Sequence, residues 1–330
     1  MRSTPLSLPL SLALAAVLVA SCGSDPGLST GGDAPKQKIT WSYSAAVQQT
    51  EKVPISQALD ALKAKGFETK EEFHQSGEDA IQAVARGQSD FGVANASAVL
   101  AATQQNVPIK ALMTAYLPGY VLAAPVAVKD PSGLGGLRIG IHAKVSATSL
   151  YTSLALKNSP PKSEPQMLVV PGSANRIRAL AAGQLDASMI QLSEVAELEK
   201  LAPGKFHIIY NVPEKHPEIM DSMVFTSVKG LEKADYVKEV LRAVIAANKA
   251  AYSDGAALTA AIVAKVPKAT PESAAELVKV YTAARVWPED GAFDDARINA
   301  TIEALRQAEL LKAVPTVEQC CAPQLVRESS

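Results

Sequence analysis

Cysteine is scarce: three in 330 residues, Cys22, Cys320 and Cys321. None stands in a CxxC pair, so the spacing of a zinc or dithiol redox motif is missing. The four histidines, His74, His142, His207 and His216, are scattered, and no HExxH occurs. A Walker-type phosphate loop is absent. "GLGGLRIG", Gly133 to Gly140, fails the GxGxxG spacing and precedes a predicted strand, whereas a dinucleotide fingerprint follows one. Lys and Arg (32) nearly balance Asp and Glu (33), with no basic block, which argues against nucleic acid as a partner. Beyond the N-terminus no apolar run reaches membrane length. These absences leave no metal, no cofactor and no catalytic residue to expect, and the chain reads as a non-enzyme.

The N-terminus carries an address. Arg2 precedes the apolar run "LPLSLALAAVLVA", Leu8 to Ala20, which is too short for a stable span and fits a signal-peptide core. It ends in "VASC", Val19 to Cys22, which resembles a bacterial lipobox. On that reading residues 1–22 are a lipoprotein signal peptide and Cys22 is the lipid attachment site. The same segment also fits an ordinary signal peptide with Cys22 a bystander. Residues 23–37, rich in Gly, Ser, Pro and Asp, read as a flexible tether. The expected location is therefore exported and lipid-anchored, at the cell membrane or its periplasmic face.

The chain beyond residue 37 is long enough for two domains. Short apolar runs alternate with helical ones: strands at 38–44, 67–74, 90–95 and 109–116, then, after the turn cluster "DPSGLGG", at 137–142, 166–171, 186–191 and 206–212. Helices are expected between them, and from Lys233 the chain is almost purely helical. Strand–helix alternation implies mostly parallel sheets covered by helices. Two extended runs, near Leu117–Val128 and Pro217–Ser227, read as crossings between two α/β lobes, with the helical tail returning to the first. Cys320 and Cys321 are open to three readings: a vicinal disulfide, a link between chains, or reduced thiols in a tail.

One sentence is written twice. "IQAVARGQSDFGVANAS" (Ile81–Ser97) and "IRALAAGQLDASMIQLS" (Ile177–Ser193) share Ile, two Ala, Gly, Gln, Asp and Ser at matching places. Each copy predicts a helix stopped by Gly, an Asp turn, a short buried strand, an amide (Asn95 or Gln191) and a Ser (Ser97 or Ser193) placed to cap the next helix. Ligands of open α/β sheets sit off the carboxyl ends of strands, so both copies would face one cleft. In "HAKVSATS", Ser146 and Thr148 offer hydroxyls at a helix start, and Lys144 a charge, which together suit an anion. His142 could donate from its strand end. Tyr116 could supply an aromatic wall, as could Tyr43 and Tyr120. Gln48, Gln75 and Ser76 are weaker candidates.

"AIQAVARGQSDFGVANASAVLAA", "VPIKALMTA", "DPSGLGGLRIGIHAKVSATSLYTSLALK" and "VPGSANRIRALAAGQLDASMIQLSEVAELE", with "VWPEDGAFDDARINATIEALRQAELLK" near the end, resemble the solute-binding receptors of ABC importers. The nearest group is the nitrate, sulfonate and bicarbonate family, with its taurine and alkanesulfonate binders. The resemblance covers nearly the whole chain after the tether. It implies a type II periplasmic-binding-protein-like α/β fold with two lobes, two hinge crossings and a helical C-terminal flank. Lobe I would comprise 38–119 and 225–330, and lobe II 120–224. It implies capture of a small, anionic, sulfonate-like organic solute and delivery to an ABC permease and ATPase. The family's ligand loops fall here on Ser44, Ala45 and Ala46, on Asn95, Ala96 and Ser97, and on Lys144 to Thr148. Two other readings stand beside this one. One is an enzyme on the same fold, resembling the pyrimidine synthases of thiamine biosynthesis or the menaquinone-pathway enzymes. The other is a surface lipoprotein without a transport role.

Overall fold

The structure, a computed structural model, describes residues 37–311 and 313–329. The expected signal peptide, Cys22 and nearly all of the tether lie outside the described residues. Two five-stranded sheets carry the fold. The first contains β1 (Lys38–Tyr43), β2 (Glu68–Phe73), β3 (Phe91–Asn95), β4 (Ile109–Tyr116) and, much later in the chain, β10 (Ser222–Ser227). The second contains β5 (Tyr120–Pro125), β6 (Arg138–Ile141), β7 (Gln166–Val169), β8 (Ala187–Gln191) and β9 (Phe206–Asn211). Helices α1 (Val53–Ala64), α2 (Gly77–Ala85) and α3 (Ala96–Gln104) belong to the first run. Helices α4 (Ala147–Asn158), α5 (Ser173–Ala181), α6 (Val195–Leu201) and the short α7 (Val212–Lys215) belong to the second. The helical flank is α8 (Ala234–Ser253), α9 (Gly255–Lys265), α10 (Pro271–Ala283), α11 (Asp295–Gln307), α12 (Val317–Cys320) and α13 (Pro323–Arg327).

The strand orders are β2-β1-β3-β10-β4 and β7-β6-β8-β5-β9. They are one order used twice: β3 and β8, the strands of the repeated sentence, hold the same central place. β10 runs antiparallel to both β3 and β4, and β5 antiparallel to both β8 and β9. The mostly parallel sheets expected from alternation are therefore mixed. The two extended runs read as bare crossings end as these reversed strands, because a chain arriving from the other sheet enters from the opposite end.

The repeat also fixes each sheet's register. Asp90 Oδ2 accepts the Thr40 N–H at 2.8 Å, and the Asp90 N–H returns a bond to the Thr40 carbonyl at 2.9 Å. Asp186 does the same to Arg138 at 2.8 and 2.9 Å and also accepts from its side chain. Asp90 thus ties β3 to β1, and Asp186 ties β8 to β6. Gly87 and Gly183 take φ of +72° and +68°, the left-handed turn that ends the helix before it. The expected Ser caps are displaced. β3 passes directly into α3 with Asn95 at the cap, leaving Ser97 buried inside the helix. Gln191 holds the corresponding place after β8.

One continuous apolar core runs behind both sheets, and a smaller one fills the outer face of the second sheet around Val121, Ile177, Leu180 and Ile190. The flank is shared between the two sheets. Helices α8 and α9 pack on α1, whereas α11 reaches α4 and Tyr281 of α10 bonds Ser193 at 3.1 Å. Cys320 and Cys321 are not in a loose tail. Both are buried free thiols, and the Cys321 backbone pairs with Ala111 of β4. Among the described residues no helix is long and apolar enough to cross a membrane.

The reversed strand needs a glycine opposite it. Phe225 of β10 faces Gly92 of β3, and a Cβ there would stand 2.4 Å from Phe225 Cζ and 2.8 Å from Cε2. Gly92→Ala should cost about 1–3 kcal/mol, the usual penalty of overpacking. Urea unfolding checks it, and unchanged stability would contradict this account of the β3–β10 contact.

Candidate functional site

Between the sheets lies a cavity of about 570 Å³ bordered by the loops after β1, β2, β3, β6 and β7. Four helices start at its walls. Their cap residues, Ser76 of α2, Asn95 of α3, Ser146 of α4 and Gly172 of α5, all line it. The first amides of a helix have no partner inside the helix and sit at the positive end of its dipole. Four such ends aimed at one space favour negative charge there.

Of the residues proposed from sequence, Ser44, Ala45, Asn95, Tyr116, His142, Ser146, Thr148 and Gln191 border the cavity. So do Tyr120, Gln75 and Ser76. Ala96, Ser97, Lys144 and Ser193 do not. Lys144 is exposed, Ala96 and Ser97 are buried within α3, and the Ser97 hydroxyl finds no partner. Ser193 stands behind Gln191, accepting from Tyr281 at 3.1 Å and donating to Gln191 Oε1 at 3.3 Å. Tyr43 and Gln48 are buried in the first half, bonded to Glu71 and Ser56.

The loop before α4 is stapled to itself. Ser146 Oγ donates to the Ala143 carbonyl at 2.7 Å and accepts the Ser149 N–H at 3.3 Å. Thr148 Oγ1 accepts the His142 N–H at 2.8 Å. The two hydroxyls hold the loop that presents the helix start. His142 Nδ1 accepts the Gly172 N–H at 3.2 Å, which leaves the ring proton on Nε2 when the ring is neutral. Desolvation and the nearby Arg176 charge lower the His142 pKa, so the neutral ring is the one to expect at neutral pH.

Four charged residues at the cavity, Glu51, Lys52, Glu78 and Arg176, were not found from sequence. Glu51 and Lys52 lie in the turn before α1, both buried, with Lys52 Nζ 3.4 Å from Glu51 Oε1 and 5.9 Å above the Tyr116 ring. Trp287 of the flank pins this turn, donating from Nε1 to the Glu51 carbonyl at 2.9 Å. A charged pair ahead of a helix reads as solvated, so nothing in the sequence marked it. Arg176, in the first turn of α5, is 3 % exposed. Its signal was available: one residue before the repeated Ile, the second copy has Arg176 where the first has Ala80. Likewise Glu194, one residue past the repeat, matches Ala98. Burial pushes the Glu194 carboxyl up to about 7, against the pull of the Gln191 N–H, which it accepts at 2.8 Å, and of Arg176.

Asp221 closes the back of the site, 2 % exposed, at the head of β10. It accepts from Tyr151 of α4 at 2.8 Å and from Ser222 at 3.1 Å, and its carbonyl accepts the Ala96 N–H of α3 at 2.8 Å. One residue thus links both halves beneath the cavity. A second hollow, about 1130 Å³, lies on the other side of the β4–β5 connection around Leu117, Pro118 and Trp287. Of its charges, Arg285 is engaged with Glu289 and Arg297 with the Pro217 carbonyl. The convergence of helix starts makes the smaller cavity the candidate site.

Two sheets of this order with a polar cavity between their strand ends define a solute-binding-protein architecture of the periplasmic type. Solved structures agree. The ligand-binding component of an ABC-type import system from Staphylococcus aureus, solved with zinc, matches at TM-score 0.75 and 15 % identity over 89 % of this chain and 99 % of that one. The alkanesulfonate-binding protein SsuA from Xanthomonas axonopodis pv. citri, bound to MOPS, matches at 0.70 and 19 % over 88 % and 99 %. The nitrate-binding protein NrtA from Synechocystis PCC 6803 matches at 0.70 and 11 % over 89 % and 88 %. No curated protein matches the chain by sequence. The family model described as NMT1/THI5 like matches residues 62–257, and the chain belongs to that family.

Asp221 gives the site a pH signature. Burial lifts its carboxyl from the ordinary 3.8 to about 7, with Glu51 adding to the rise and Tyr151, Ser222 and Lys52 opposing it. A folded-state pKa above the unfolded one means that the fold holds the proton more tightly. Its stabilising contribution is whole below about pH 4 and falls away as the pH climbs to about 7. Asp221→Asn keeps the shape and one accepted bond, from Tyr151, while the bond to Ser222 reverses so that the amide nitrogen donates to the hydroxyl. It should flatten the decline in stability between those limits by a few kcal/mol, read by denaturant unfolding across pH. A variant with the wild-type slope would contradict the assignment.

Proposed function

We propose that this protein is the exported, lipid-anchored solute receptor of an ABC importer. It captures a small anionic organic solute, sulfonate-like in charge, and presents it to a permease and its ATPase. The lobes of the mechanism are residues 38–119 with 225–330 and residues 120–224, and the cavity is their shared cleft. Cys22 is the proposed membrane attachment, on the lipobox pattern.

The observation that carries this reading is the convergence of four helix starts on one cavity between two sheets. Each contributes about 0.3–1 kcal/mol to a negative group when exposed, and more when water is excluded. The volume matters as well. A space of about 570 Å³ falls in the range of organic-ligand pockets, far above the need of a bare inorganic ion. Tyr116 and Tyr120 give the organic body an aromatic surface beside the polar groups. The neighbours named for importers, sulfonate and nitrate binding add weight to the class of ligand.

A panel of sulfonates, carboxylates and neutral or cationic heterocycles, followed by thermal shift and calorimetry, tests the reading. An anionic solute should bind at one site per chain and be recovered unchanged. At a concentration a hundred times its Kd it should stabilise the fold by about 2.7 kcal/mol. Selective binding of cations would contradict the anionic reading, and conversion of a bound compound would point to an enzyme.

A further inference from the structure

The geometry points to Arg176 as the residue that grips the solute's oxyanion, with His142 and the first amides of α4 completing the grip. This deepens the receptor reading and rests on it. Arg176 lines the cavity together with Gly172, Ser173 and Asn175. Its side chain is buried, yet Nη1 makes only a 3.3 Å bond to the Val170 carbonyl, and Nε has no partner. Guanidinium stays charged at all ordinary pH values, so a cation is held out of water without a paired anion. Glu194 is the charge that favours it most, but that carboxylate accepts from the Gln191 N–H and the Ser173 hydroxyl instead.

Packing does not explain the residue. The equivalent place in the first half of the repeat is Ala80, fully buried, and the place equivalent to Glu194 is Ala98. The same sheet order is built there with methyl groups alone. A buried charge that the scaffold can omit is costly unless something compensates it. A ligand oxyanion does so, and a planar fork of N–H donors matches a carboxylate or sulfonate with two parallel bonds. His142, whose Nε2–H is free of the Gly172 bond, lines the same cavity with Ala147 and Thr148 of the first turn of α4, so the grip is concentrated on the second half of the molecule. The first half then meets the organic body with Tyr116 and the Glu51–Lys52 pair, and its Glu78 carboxylate repels an oxyanion from that side.

The test uses sulfate, methanesulfonate, taurine and benzoate as probes against the wild-type protein, Arg176→Met and Arg176→Lys. Wild type should show a saturable rise in Tm with at least one probe. Arg176→Met should melt no lower than wild type without anion, since an unpaired buried charge is gone, and should bind that probe at least a hundredfold more weakly. Arg176→Lys keeps the charge but not the fork and should lose about tenfold in affinity at unchanged Tm. Wild-type affinity in either variant overturns the role of Arg176 and leaves the receptor reading standing. If Arg176→Met fails to fold, Arg176→Lys decides by the same affinity ratio. No response of wild type to any of the four probes overturns the oxyanion grip itself, and neutral and cationic solutes then judge the receptor reading separately. The choice of best probe separates sulfonate from carboxylate.

Discussion

A strand that arrives from one sheet can join the other only by running against its neighbours, and the site depends on that constraint. β5 leaves the first sheet and enters the second reversed, and β10 returns in the same way. Each chain passage ends in a strand that pairs on both sides within the sheet it enters, so both crossings are anchored by backbone ladders. The four remaining strands of each sheet share one direction, so the helices after β2, β3, β6 and β7 all begin at the cavity. Asp221, at the head of β10, then binds α3 through its carbonyl and α4 through its side chain. The positive end of four helices is thus a product of topology, before any particular side chain is considered.

The doubled sentence contributes the scaffold of this arrangement more than its chemistry. Its Gly residues turn the chain and its Asp residues fasten β3 and β8 to β1 and β6. The chemistry enters where the copies differ. Ala80 and Ala98 in one half become Arg176 and Glu194 in the other, giving the second half a guanidinium at the cavity and a carboxyl, outside its lining, shifted to about 7. Divergence within a repeated framework is how the second wall acquires its cation, while the first carries Glu51, Lys52 and Glu78.

Much of this was legible in the residues. Alternation placed the strands and most helices, and strand-end logic placed Ser44, Asn95, His142, Ser146, Thr148 and Gln191 at the cavity. Strand direction was not legible, because a run such as "YVLAAP" is equally apolar read either way. Caps slipped by a residue or two because β3 passes into α3 without a loop, which buried Ser97 and moved the cap to Asn95. Charged residues misled most. Lys144 looked like a ligand group and is solvated, while Glu51, Lys52 and Arg176, which no sequence pattern singled out, line the cavity. Burial of a charge is decided by tertiary packing, which single-sequence periodicity does not report. Cys320 and Cys321 show the same effect, since nothing local announces that the chain end folds back onto β4.

The central claim is that the cavity between the sheets is an oxyanion site. Crystals soaked in sodium selenate and recorded at the selenium absorption edge test it most directly, because selenium scatters anomalously and marks the anion without assumption. The account predicts one strong peak inside the cavity, within hydrogen-bond reach of the Arg176 guanidinium and the first turn of α4. Selenate ordered only elsewhere on the protein, with the cavity empty of anomalous density, would contradict it.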